Sequence, residues 1–142
     1  MAIYYQNEDT AFPPIKRRKV SEWIKTIAAS YNKKIADISY IFCSDKRILE
    51  INREYLQHDY YTDIITFDYS EGNTIAGDIF ISIDTVKSNS IQYETDFIEE
   101  LHRVIIHGIL HLCGINDKTE AEQAEMTMNE NKALEIFNSI SS

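Results

Sequence analysis

The run His107-Gly108-Ile109-Leu110-His111-Leu112-Cys113-Gly114-Ile115-Asn116-Asp117 constrains this chain more than any other. It closes an apolar stretch in which Val104, Ile105, Ile106, Ile109, Leu110 and Leu112 cover most of a helical surface. A helix apolar on so many sides belongs in the interior, so the pattern predicts a central, buried helix from about Asp96 to Cys113. His107 and His111 stand four apart and project from one face, one turn above the other. Gly114 can take the left-handed conformation that ends a helix. The chain can then double back and bring Asp117 towards the same point.

Two imidazoles and one carboxylate, with a fourth position left open, are the ligand set of a catalytic zinc ion. Paired histidines alone are as readily surface or core residues; the glycine turn and the third donor favour a metal. The spacing His-x-x-x-His-x-x-Gly-x-x-ligand matches the zinc-binding frame of the metzincin peptidases, except at its second position and its last ligand. That frame places a glutamate base directly after the first histidine. Here the position is Gly108, so the usual peptidase mechanism lacks its base. The glycine reads either as room beside the metal for a bulky substrate group or as close helix packing. Cys113, on a helix, would lie off the histidine face, and both it and Cys43 read as small buried residues.

Scaffold elements are legible on both sides of this helix. Strands are predicted at Ala2 to Gln6, Ile38 to Cys43, Thr62 to Tyr69 and Gly77 to Ile83, from alternating or continuous apolar patterns. Helices are predicted at Arg17 to Tyr31, from a Ser44 or Asp45 cap to Tyr55, over 85–92 behind Asp84, and from a Thr95 cap through both histidines. Thr119 with Glu122 three residues on predicts a capping box opening the last helix. The expected architecture is a single α+β domain spanning 1–142, with a four-stranded mixed sheet packed against about five helices.

Composition excludes several classes. No apolar run reaches membrane-spanning length, and the first residues lack the basic start and apolar core of a signal peptide, so a cytoplasmic protein is expected. The net charge of −9 opposes non-specific nucleic-acid binding through global charge, and no DNA partner is expected. The acidic excess lies in the second half of the chain. Lys16-Arg17-Arg18-Lys19 is the one basic run, read as a solvated helix start or as a contact for a polyanion.

Phosphodiester chemistry needs positive groups beside the transferring oxygens. Arg103 lies one turn before His107 on the same face; it reads as a phosphate contact or as the partner of Glu99 or Glu100. His58, in the loop from Tyr55 to Tyr61, is a second candidate for acid, base or phosphate contact. His102, one residue off that face, reads as structural.

With these residues in view, the chain resembles the YbeY family of bacterial endoribonucleases, which act in rRNA maturation and ribosome quality control. His107 to Asp117 fits the family pattern His-Gly-x-Leu-His-Leu-x-Gly-x-Asp-His. Asn52, Tyr55 and Thr62-Asp63-Ile64-Ile65-Thr66-Phe67 fit a second family segment, and Gly77-Asp78-Ile79 a third. The family's third histidine falls at Asp117, and Leu56 stands where the family often has arginine. The resemblance implies a Zn2+ ion on His107, His111 and Asp117, single-stranded RNA near rRNA 3′ or 5′ ends as substrate, and the ribosome or its assembly factors as partners. Two other readings stay open: a zinc hydrolase of peptide or amide bonds, and a non-catalytic assembly module whose structural metal is closed by a fourth protein ligand such as Cys113 or His58.

Overall fold

A computed structural model describes residues 2–57 and 62–140. Its elements run β1 (Ala2–Asn7), α1 (Arg17–Ser30), β2 (Lys34–Cys43), α2 (Asp45–Leu56), β3 (Ile64–Asp68), β4 (Thr74–Ser82), α3 (Ile83–Gln92), α4 (Phe97–Leu112) and α5 (Glu120–Ser139). The sheet order is β1-β2-β4-β3. β1 and β4 run parallel to β2, and β3 runs antiparallel to β4. The mixed α+β sheet and five helices are those expected.

Alternation along the strands sends side chains to two faces. Ile38, Tyr40 and Phe42 of β2 and Ile75, Ile79 and Ile81 of β4 meet α1, α4 and α5 in the main core, around the fully buried Trp23, Ile24, Leu101 and Ile105. Cys43 and Ile65 instead face α2, where Ile48 and Ile51 close a smaller core. α4 is the central helix: Leu101, Val104, Ile105, Ile106, Ile109 and Leu110 are all buried. Two long-range bonds anchor its surroundings. The Tyr40 hydroxyl donates to the Ile105 carbonyl (2.9 Å) and the Trp23 indole to the Ala133 carbonyl (2.7 Å). Each satisfies a buried polar group that would otherwise cost about 1–3 kcal/mol.

Several boundaries differ from expectation for physical reasons. β2 starts at Lys34, before the expected Ile38, because a bulge between Ile35 and Ile38 interrupts the alternation yet keeps both side chains inward. β4 starts at Thr74, so Gly77 lies within the strand rather than opening it. There a Cβ would stand 2.5 Å from the Phe67 carbonyl oxygen, which explains glycine at that position. Ile83 begins α3 instead of ending β4. The α3 cap is Ser82, whose hydroxyl accepts from the Thr85 N–H. Asp84, expected to cap α3, accepts from the Asp45 N–H at the start of α2 instead. α4 is preceded by Asp96 in the cap position, not Thr95. Ser44 caps α2, and Thr119 and Glu122 form the full capping box of α5, as expected.

Candidate metal centre

α4 ends in a Schellman turn. The Gly114 N–H bonds to the His111 carbonyl and the Ile115 N–H to the Leu110 carbonyl, both at 3.0 Å, with Gly114 at φ +101°. This is the left-handed exit that glycine permits. The reversal returns Asp117 to the histidine face. Its two carboxylate oxygens lie 3.2 Å from His107 Nε2 and 3.4 Å from His111 Nε2. One donor atom from each of the three residues falls within 4.8 Å of the others. Sequence spacing and fold therefore agree on His107, His111 and Asp117 as one cluster able to hold a metal ion.

A fourth residue completes it from behind. Glu130 of α5 is buried, and its Oε2 lies 2.7 Å from His107 Nδ1. With Nδ1–H donating to that carboxylate, the Nε2 lone pair is left facing Asp117 and the cluster. A carboxylate behind a ligating imidazole is the usual outer support of a metal site, fixing tautomer and ring orientation. The donor set thus fits a divalent cation: two ring nitrogens, a carboxylate, and a fixed tautomer. Burial lowers the His107 pKa, but the Glu130 hydrogen bond and the charges of Glu130, Asp117 and Asp63 outweigh it, and the net shift is upward.

Glu130 escaped the sequence reading, yet a signal for it exists. It lies on the buried stripe Met126, Glu130, Ala133, Phe137 of α5. A carboxylate on an apolar helical face needs a partner inside the fold. Asp63, just before β3, enters the sequence reading only within a family segment, with no site role. It lines the same groove as the histidines. Burial raises its pKa, against the opposing pull of His107 and of the Asp63 and Ile64 backbone N–H groups.

The other candidates fall as follows. Arg103 points to the groove, and its terminal nitrogens bond to Glu130 Oε1 (2.9 Å) and Asn131 Oδ1 (2.8 Å). Its hydrogen-bonded carboxylate is therefore Glu130, not Glu99 or Glu100; Glu100 is near enough for Arg103 to lower its pKa, against a larger upward push from burial. His58 lies outside the described residues. His102 is structural, packed against Trp23 and Phe137. Gly108 faces the sheet: a Cβ there would meet Ile79 and Ile64 side-chain carbons at 3.1–3.3 Å. Close packing, not room for substrate, explains that glycine. Cys113 is outside the ligand cluster, and both cysteines are free thiols pushed up by burial, Cys43 to about 12 and Cys113 to about 11. The basic run lies off the groove. Arg17 covers the Phe12 ring and Lys19 the Phe137 ring, at 4.1 and 4.2 Å from the centroids.

A groove of about 610 Å³ opens over the cluster and runs along α4 between α2, β3 and α3. A cluster able to hold an ion, beside a groove and on a buried helix of an α+β domain, is the arrangement that metal-dependent hydrolases use. The family model described as endoribonuclease YbeY matches residues 4–138, and the chain belongs to that family. It is 65% identical over 137 residues to the endoribonuclease YbeY of Parabacteroides distasonis, covering 96% of each chain. The Bacteroides fragilis protein of the same name is 65% identical over 134 residues, 94% of this chain and 96% of that one. The one from Porphyromonas gingivalis is 51% identical over 132 residues, 93% of this chain and 87% of its own. Among solved structures, the solution structure of a Thermotoga maritima protein superposes with a TM-score of 0.67 at 25% identity, over 96% of this chain and 89% of that chain. Among the described residues, no helix is long and apolar enough to cross a membrane.

Proposed function

We propose that this protein is a metal-dependent, single-strand-specific endoribonuclease acting in rRNA maturation and ribosome quality control, with zinc held by His107, His111 and Asp117. The observation that carries the reading is the convergence of those three side chains on one point at the floor of an open groove, in a chain whose relatives bear the name endoribonuclease. When bound, the cation supplies Lewis acidity and charge neutralisation at a phosphodiester.

The chain's own residues do the rest. Glu130 holds the His107 ring with Nε2 inward. The bonds from Arg103 to Glu130 and Asn131 tie that carboxylate down and hold the guanidinium at the groove wall. Two of its five donors are thereby committed, and the role we assign it is contact with a phosphoryl oxygen. His58, on the segment joining α2 to β3, is retained as the second candidate for proton transfer or phosphate contact. The buried floor formed by Val104 and Leu112 limits water on the helix side.

The closed structural site is the weaker reading, because a structural zinc takes four protein ligands, whereas Cys113 lies outside the cluster and the groove opens over it; His58, the other candidate for a fourth ligand, falls outside the described residues. The peptidase reading is weaker still, since position 108 is turned into the sheet and carries no base. Ribosomal RNA ends as substrate, the ribosome or its assembly factors as partners, and a cytoplasmic location complete the proposal. The test is cleavage of a labelled single-stranded RNA by the zinc-loaded protein. Wild type should cut it, and His107→Ala, with unchanged circular dichroism, should not. Equal cleavage by both would remove the ligand cluster from the reaction.

A further inference from the structure

The groove has an electrostatic problem as an RNA site, and its far end offers a solution. Asp63, Asp68, Glu100, Asp117 and Glu130 line it. Among the described lining residues the one permanent cation is Arg103, whose terminal nitrogens already bond to Glu130 and Asn131. Apart from Arg103, the described walls therefore have little to hold a phosphate backbone with. Recognition there must use the uncharged part of a nucleotide.

Glu100, Arg103, His107 and His111 form one stripe of α4 that lines the groove. At 1.5 Å per residue it runs about 10 Å beyond His107 towards the start of α4. Tyr93 lies at this end, in the turn that joins α3 to α4, and Asn89 lies one helical turn before it on α3. Residues four apart share a helical face, and both line the groove. Tyr93 is 61% exposed, so its ring is accessible to a ligand in the groove. A flat aromatic face beside a primary amide provides stacking plus one donor and one acceptor, the chemistry that binds a nucleobase and is indifferent to nearby negative charge.

We propose that Tyr93 and Asn89 form a nucleobase subsite, in which one base of the RNA strand stacks on the Tyr93 ring and hydrogen-bonds by its edge to the Asn89 amide. The inference rests on the endoribonuclease reading and deepens it. Because the subsite lies past the Glu100 end of that stripe, away from the cluster, the base it holds belongs to a nucleotide further along the strand, not to the phosphodiester being cut. It makes the enzyme select single strands, since a paired and stacked base cannot lie on a protein ring.

The test uses the zinc-loaded full chain and short fluorescein-labelled single-stranded RNAs, with an abasic riboside at one position at a time. Binding is read by anisotropy directly after mixing, and cleavage of the same strands on gels. Tyr93→Ala should weaken binding roughly 5- to 150-fold, the range that loss of one base–aromatic stack produces. Tyr93→Phe should bind as wild type, and Asn89→Ala should lose less than Tyr93→Ala. At one strand position the abasic substitution should weaken wild type but add nothing to Tyr93→Ala. Unchanged affinity in Tyr93→Ala, additive losses at every position, or no binding by wild type would each overturn the subsite. Wild type that binds with this Tyr93 dependence yet cuts nothing would support the subsite and retire the endoribonuclease reading instead.

Discussion

Acidification should weaken this fold through His102 in a way that can be calculated. The ring is buried between Trp23 and Phe137, with centroids 5.9 and 4.2 Å away. Burial, with a contribution from the Lys19 charge, pushes its pKa down to about 4. In the unfolded chain the value is about 6.5. Above pH 6.5 the imidazole is neutral in both states and costs nothing. As pH falls below 6.5 the unfolded chain takes up a proton that the folded protein refuses until about pH 4, so stability is lost across that window and levels off below it. For those two values linkage gives a loss of about 2 kcal/mol between pH 8 and pH 5. Urea unfolding of wild type and His102→Phe at both pH values measures it. The variant keeps an aromatic ring against Trp23 and Phe137 but cannot titrate. Other groups titrate alike in both proteins, so the difference between the two pH-dependences isolates His102. Wild type should lose about 2 kcal/mol more than the variant on going to pH 5. Equal losses would refute the burial argument.

Other substitutions test separate parts of the account. Gly77→Ala places a Cβ 2.5 Å from the Phe67 carbonyl oxygen, which β3–β4 pairing holds in place, so unfolding in urea should show a loss of about 1–3 kcal/mol; wild-type stability would mean that the two strands part easily. Glu130→Gln keeps the size of the group behind His107 but removes its charge. Zinc affinity, read by competition with a chromophoric chelator, should fall about 10- to 100-fold while the metal-free protein stays folded; unchanged affinity would make Glu130 a packing residue only. Tyr40→Phe removes the buried hydroxyl that donates to the Ile105 carbonyl, which keeps its own helical bond within α4. It should lower stability by about 0.5–1.5 kcal/mol in the same urea assay, and no change would mean that this bond contributes nothing net.

What could be read from the sequence was local. The two histidines, the glycine exit and Asp117 lie within eleven residues, so helical geometry and one turn bring them together without knowledge of the rest. The Ser44 cap and the Thr119–Glu122 box depend on three-residue spacings and were equally legible. Glu130 was not, because its partner lies across a helix–helix contact, and its only trace is a charge on an apolar stripe. Arg103 shows the same limit. Its nearest carboxylates in sequence are on its own helix, while the one it bonds is on α5. Asp84 looked like a helix cap from its neighbours, but β4 runs directly into α3, leaving Ser82 to cap and freeing Asp84 to reach α2. The choice between the two readings of Gly108 needed the position of Ile79 on another strand.

The claim at the centre of this account is that His107, His111 and Asp117 form a working ion site although a carboxylate stands where the family pattern has a histidine. Equilibrium dialysis of untagged wild type and Asp117→Ala against buffered zinc, with bound metal read by elemental analysis, tests it directly. About one zinc per wild-type chain, lost or held far more weakly in the variant, is the predicted result. No zinc on wild type, or equal binding by both proteins, would contradict the claim.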